Sequence, residues 1–299
     1  MSRKTELEAD LKRVGFQLGG ASLTRQARTA TFQTFAKTMH DLKYGIQRAS
    51  QIGGRHLKAF VAARMAKGVS TGTLANEASH LRAVLEQVGK QGLARNPEYS
   101  NKALGIEQRS RIGTKLPLSD PAFNAFKDKM ETSGRSGTGA TLELQRHLGA
   151  RAAEAIRAGQ ADTLSRWERE LKESGFVRVI EGTKGGRPRD VHPANPDRAL
   201  AAIQAAQAVL QTTGQPHLVV RDDGTPAASL KQAMNIYRNI CHREGIQSHS
   251  ARYAFAQERA AAYMAQGLSE REARAATSLD LGHGDGRGRY VASVYVRGD

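Results

Sequence analysis

Between His249 and Tyr295 the chain carries His249-Ser250-Ala251-Arg252, then Leu281-Gly282-His283, then Tyr290 and Tyr295, and Arg151 and Lys184 lie upstream. Two arginines, a lysine, two histidines and a tyrosine suit attack on a phosphodiester. Guanidinium forks neutralise phosphate oxygens, imidazole and ammonium groups move protons or donate hydrogen bonds, and a phenol supplies an oxygen nucleophile without a metal. His249 and Arg252 stand at i and i+3, so both side chains fall on one helical face. Gly282 suits a helix C-terminus whose turn would aim His283 inward. Each residue also has an ordinary reading. A single arginine is commonly a surface charge, Lys184 would be an exposed turn lysine, and His249 would cap a helix.

Positioning such a set requires elements on both sides of the chain's midpoint. A length of 299 residues points to two domains. Residues 1–30 are polar with mixed charge and one short stripe, Leu7, Leu11, Val14 and Leu18; they are expected as a loosely held N-terminal arm. Residues 31–95 read as a helical domain. Leu57, Phe60, Val61 and Met65 form an i, i+3, i+4, i+8 stripe, and after Ser70 and Thr71, which can cap, Leu74, Ala78, Leu81, Leu85 and Val88 mark a second helix. The opposite faces carry Arg55, Lys58, Arg64, Lys67, His80 and Arg82, either a basic side for a DNA backbone or a solvated face. Residues 96–118, polar and charged through Arg109, Arg111 and Lys115, are expected as a linker.

The second domain is expected over 119–299. Ser119-Asp120-Pro121 supplies a cap and a proline at the first helical position, followed by Phe123, Phe126 and Met130 on one face. Ser133 to Gly139 reads as a glycine and serine loop without the Lys-Ser or Lys-Thr of a phosphate-binding loop, so no nucleotide is assigned to it. Leu142, Leu144 and Leu148 carry a helix to Gly149, and another starts at Glu154, leaving Arg151 at the break. Phe176 to Ile180 and Arg189 to His192 alternate as strands around the turn Gly182-Thr183-Lys184-Gly185-Gly186, a hairpin with Lys184 at its tip. Further helices are marked by Asn195-Pro196 with Leu200, Ile203, Ala206 and Leu210, and by Leu230, Met234, Tyr237 and Ile240. Ser269 and Glu272 can form a capping box before Leu281.

The formal net charge of +16 implies a polyanionic partner, with nucleic acid first and a merely basic soluble protein or a membrane-surface binder as the other readings. No apolar run approaches the roughly 20 residues of a bilayer span, and no signal peptide is legible, so a cytoplasmic, nucleoid-associated protein without membrane partners is expected. The single cysteine, Cys241, excludes an internal disulfide framework, and no cluster at ligand spacing calls for a metal.

Several of these segments resemble the tyrosine recombinases, also called phage-type integrases. Gly149-Ala150-Arg151 followed by Glu154 is similar to the family's first arginine motif, Lys184 to its β-hairpin lysine, His249-Ser250-Ala251-Arg252-Tyr253 to its second arginine box, and Leu281-Gly282-His283 to its Leu-Gly-His. They arrive in the family's order. The resemblance implies a mostly α protein with a small β-hairpin sheet, in which a helical core-binding domain precedes the catalytic domain. It further implies site-specific cleavage and rejoining of double-stranded DNA through a 3′-phosphotyrosine, with no cofactor, in a homo-oligomer that becomes a tetramer in the synapse. By the same resemblance Arg151 and Arg252 would clamp the phosphate, His249 would take the tyrosine proton or orient the phosphate, His283 would contact the same phosphate, and Lys184 would protonate the departing 5′ oxygen. Arg187 and Arg189 would bind phosphates nonspecifically. Tyr290 and Tyr295 lie seven and twelve residues after His283, on either side of the family's usual spacing, so counting does not choose the nucleophile. Context favours Tyr295. Val291-Ala292-Ser293-Val294-Tyr295 resembles the family's nucleophile segment, whereas Tyr290 follows Gly286-Arg287-Gly288-Arg289, which reads as a loop. The enzymatic alternative is a type IB topoisomerase, and the non-enzymatic one is a DNA-binding regulator that keeps the fold without the chemistry.

Overall fold

A computed structural model of the chain describes residues 3–108, 116–160, 162–183, 186–214, 216–284 and 288–295. The chain divides into two compact units, Met1–Ser110 and Arg111–Asp299. In the first, helices α1 (Arg3–Gln17), α2 (Ser22–Asp41), α3 (Gly54–Ala66), α4 (Thr71–Gln87) and the single turn α5 (Gln91–Ala94) enclose one apolar core. Ser70 caps α4 by accepting from the Thr73 amide, which removes one of the unpaired donors at the helix start. The expected N-terminal arm is a correction. Leu7, Leu11 and Val14 of α1 are fully buried in the same core as Phe32, Phe35 and Met39 of α2, because the i, i+4, i+7 stripe finds an aromatic face to cover. Ile106 is buried there too, so the early part of the expected linker packs with the first unit; Arg109, Arg111 and Lys115 lie outside the described residues.

The second unit contains α6 (Asp120–Thr132), α7 (Ser136–Leu148), α8 (Ala152–Ala158), α9 (Thr163–Ser174), β1 (Val177–Val179), β2 (Arg189–Val191), α10 (Pro196–Thr213), α11 (Leu230–Arg243), α12 (Ser250–Ala265), α13 (Glu270–Asp280) and α14 (Gly288–Val294). The two strands pair antiparallel, with Val177 opposite Val191 and Val179 opposite Arg189. Helix starts follow their caps: Ser119 with Pro121 for α6, Asn195 with Pro196 for α10, Ser229 for α11, and Ser269 with Glu272 for α13. The segment expected as a loop before Gly139 is largely the first turn of α7. Gly137 is there for close packing, since a Cβ on it would run into the backbone carbonyl of Leu218. One apolar cluster, built on Trp167, Phe255, Ile203 and the strand valines, also takes in Val291, Val294 and Tyr295. A second surrounds Phe126, Met130, Tyr237 and Ile240. The C-terminal helix is therefore held by core packing, and the residue following it enters the interior.

Candidate active site

Arg151 precedes α8, where its amide donates to Glu154 Oε2 at 2.6 Å and its Nη1 to Glu154 Oε1 at 2.8 Å. Arg252 lies in the first turn of α12, three residues after His249, and is wholly buried. Its Nη1 donates to the Gly149 carbonyl and its Nη2 to the Leu281 carbonyl. Arg151 Nη2 donates to that same Leu281 oxygen at 3.2 Å. Each guanidinium has five N–H donors, so both keep donors beyond those used here; Arg252 Nε has no acceptor among the described residues. Burial lowers Arg252 to about 10, with the nearby positive charges of Arg189 and Arg151 acting the same way. It remains a cation at neutral pH.

Arg189, expected on a phosphate, is instead an internal support. It is 8 % exposed and donates to both Glu154 oxygens, at 2.7 and 2.6 Å, and through Nε to the Asp280 carbonyl at 2.8 Å. Burial by itself would raise the Glu154 carboxyl, but the Arg189 hydrogen bonds and the surrounding guanidinium charges hold it at about 2. Two guanidinium groups thus share one carboxylate, with the charge of Arg252 nearby, leaving an excess of positive charge at a site where low dielectric strengthens attraction for an anion. Gly282 makes this convergence possible. It turns with φ 66°, and a Cβ there would lie 2.7 Å from Arg189 Cδ.

The Tyr295 hydroxyl lies 3.2 Å from His249 Nε2 and 3.3 Å from His283 Nε2. A phenol has one proton to donate and lone pairs to accept with, so in this arrangement one imidazole nitrogen receives the tyrosine proton and the other presents its own. The ring of Tyr295 packs on Tyr253, with centroids 4.5 Å apart. Tyr290 lies on α14, not in a loop, with its ring centroid 4.9 Å from that of His283. The contextual reason for discounting it therefore falls, and what marks Tyr295 is its hydroxyl between the two imidazoles. Lys184 lies outside the described residues. The motifs thus bring Arg151, His249, Arg252, His283 and Tyr295 together; Glu154, Arg189 and the carbonyls of Gly149 and Leu281 complete the setting.

Of the surface cations, Arg55, Lys58 and Arg187 are exposed. Arg64 and Arg82, expected on DNA, are engaged by the protein: Arg64 makes a bidentate pair with Glu77 at 3.0 and 2.7 Å, and half-buried Arg82 donates to Asn101. Among the described residues no group of His, Cys, Asp and Glu could hold a metal ion, and no helix is long and apolar enough to cross a membrane.

Against solved structures, the chain is similar to a lambda integrase tetramer bound to a Holliday junction, at 14 % identity over 98 % of this chain and 79 % of that one, with a TM-score of 0.64. It is similar also to a lambda integrase dimer bound to a COC′ core site, at 13 % identity, 98 % coverage of both chains and a TM-score of 0.64. The integrase of the Tn1549 transposon, in complex with transposon right end DNA, matches at 14 % identity over 98 % of this chain and 95 % of that one, with a TM-score of 0.62. At such identities the likeness is one of fold. Curated protein sequences give no match. A family model of integrases matches residues 105–258 and one of the phage integrase N-terminal domain matches residues 3–94, and on these two matches the chain belongs to the phage integrase family, the tyrosine recombinases.

Proposed function

We propose that this recombinase cleaves duplex DNA with Tyr295 as its nucleophile, and that Arg151 and Arg252 bind the scissile phosphate. The observation that carries the reading is the Tyr295 hydroxyl set between His249 and His283, beside a cluster of guanidinium groups with one carboxylate. One histidine takes the phenolic proton as the oxygen attacks phosphorus; the other donates to the developing charge. The 3′ phosphate becomes attached to Tyr295 and the 5′ oxygen leaves with a proton, for which Lys184 is the proposed donor. Attack by a 5′-hydroxyl of the partner duplex reverses the step and frees Tyr295. Each step exchanges one phosphoester for another, so the site works by positioning and charge stabilisation.

The lambda and Tn1549 relatives are bound to DNA, one of them as a tetramer on a Holliday junction. We extend both to this chain: duplex DNA as substrate, four protomers in the synapse, and Arg55, Lys58 and Arg187 on the backbone. The net charge of +16 supports that partner. The test uses a nicked suicide duplex carrying the recombination site, sought as inverted core repeats flanking the gene, with covalent protein–DNA adduct read on a denaturing gel. Wild type and Tyr290→Phe give adduct and Tyr295→Phe gives none. Adduct from Tyr295→Phe with none from Tyr290→Phe would move the nucleophile to Tyr290.

A further inference from the structure

Behind the guanidinium cluster lies a second set of buried polar groups, centred on Asp280, the last residue of α13 and the one before Leu281. Its side chain is 2 % exposed. Oδ1 accepts from the His192 amide at 3.1 Å and lies 3.0 Å from His192 Nδ1, just past the end of β2. Oδ2 accepts from Arg259 Nε at 3.3 Å and from the Tyr263 hydroxyl at 2.9 Å, both on α12. Arg259 also lies over the Tyr263 ring, 3.7 Å from its centroid. One carboxylate therefore ties the end of α13 to β2 and to α12.

Those three elements carry the groups around the proposed phosphate site. Strand β2 begins with Arg189, α12 bears Arg252 in its first turn, and the residues just past α13 supply the Leu281 carbonyl that both Arg151 and Arg252 use. The Asp280 carbonyl itself accepts from Arg189. A buried carboxylate with four protein donors is held firmly, because leaving any of them unpaired in a low-dielectric interior is costly. We infer that Asp280, through His192, Arg259 and Tyr263, is a positioning residue that sets where the Arg151 and Arg252 guanidinium groups stand relative to the scissile phosphate. It touches none of the proposed reacting groups. The inference rests on the reading of Tyr295 and the arginines given above.

The variant to test is Asp280→Asn, which keeps the shape and removes the charge that faces Arg259 and His192. On a suicide duplex at saturating DNA, the single-turnover cleavage rate constant is expected to fall by tenfold to a hundredfold, about what a misplacement near 1 Å costs. DNA affinity should stay within about threefold, since backbone contacts are many. The split between rate constant and amplitude separates positioning from folding: partial unfolding lowers the amount of adduct, whereas misplaced arginines slow its formation. A 5′-bridging phosphorothiolate, whose leaving group needs no proton, should leave the Asp280→Asn defect in place. Tyr263→Phe, which deletes one half-buried hydroxyl, provides the milder second variant, with a fall of about threefold. Leu279→Ala, on the exposed side of the same helix, serves as the control. Wild-type rate constants from both Asp280→Asn and Tyr263→Phe, or a loss confined to amplitude, would overturn the inference. Absence of adduct from the wild-type protein would remove the reading of the site, and this inference with it.

Discussion

Each unit holds an arginine–glutamate pair, and the two pairs differ in what surrounds them. In the N-terminal unit Arg64 and Glu77 meet at 2.7 Å with 20 % and 9 % of their side chains exposed, linking α3 to α4. In the C-terminal unit Arg189 and Glu154 meet at 2.6 Å with 5 % and 0 % exposed, and the same carboxylate also takes Arg151. The first pair is a tie at the edge of an apolar core. The second is part of a dry lattice of charges that runs on through Asp280 and Arg252. Ion pairs open to solvent contribute little, whereas a buried pair that loses one partner leaves an uncompensated charge. The N-terminal unit is thus organised by aromatic and aliphatic packing. The C-terminal unit spends buried volume on polar order, including at the place where the proposed phosphate would be met.

The largest effect should come from Glu154→Ala, which strands Arg189 in the interior and lowers the stability of the C-terminal unit by about 4 kcal/mol. Denaturant unfolding followed through Trp167 would measure it, and Glu77→Ala in the other unit should cost only about 1 kcal/mol. Equal losses would erase the distinction between the pairs. The Glu154 carboxyl lies near 2 against its usual 4.5, so its contribution is present above pH 4.5 and is lost as pH falls toward 2.

Arg252→Ala should slow adduct formation by about a hundredfold or more, near 3 kcal/mol of transition-state stabilisation, with DNA binding changed only a few-fold. Arg64→Ala should leave the cleavage rate constant at saturating DNA unchanged. A cleavage loss from Arg64→Ala as large as that from Arg252→Ala would show that the N-terminal pair also serves the chemistry.

Next in size is a pH effect. Burial, with help from the Arg146 charge, pushes His147 down to about 4 from 6.5. The unfolded chain then binds the extra proton between these values, so stability is fully present above pH 6.5 and falls by roughly 2 to 3 kcal/mol as pH drops to 4. His147→Gln should flatten that part of the stability–pH curve. Burial also lowers His56 and His80 in the N-terminal unit, giving the same sign there. His192 runs the other way. Its hydrogen bond to Asp280 raises it, so its contribution is present below pH 6.5 and is lost as pH rises through the folded value.

The smallest effect concerns the exposed cations. Arg187→Ala or Lys58→Ala should weaken DNA binding a few-fold and reduce the slope of log affinity against log salt by about one each. The same change at Arg189 should act on folding instead.

Much of this architecture was legible because its signals are local. Helix caps at Ser70, Ser119, Asn195 and Ser269 each need only three or four residues, and so does a His-x-x-Arg on one helical turn. Helix α9, with Leu164, Trp167 and Leu171 at i, i+3 and i+7, carried the same kind of signal, which a reading centred on motifs passed over. The arm expected over residues 1–30 failed differently. Its short stripe becomes a packed helix only through Phe32 and Phe35 on α2. Whether an arginine is a surface cation or an internal strut depends on distant partners: Arg189 takes its place from Glu154 and Asp280, which lie 35 and 91 residues away. Backbone oxygens such as that of Leu281 leave no trace in residue type at all.

That one oxygen has a consequence for noise. Arg151 stands just before α8 and Arg252 within α12, yet both take their bearing from the Leu281 carbonyl. A shift of the turn at 281–283 should therefore carry both guanidinium groups the same way and tend to keep the gap between them. A reference point shared in this way would suppress the relative error, to which the proposed two-armed grip on a phosphate is most sensitive, and pass on mainly the collective displacement.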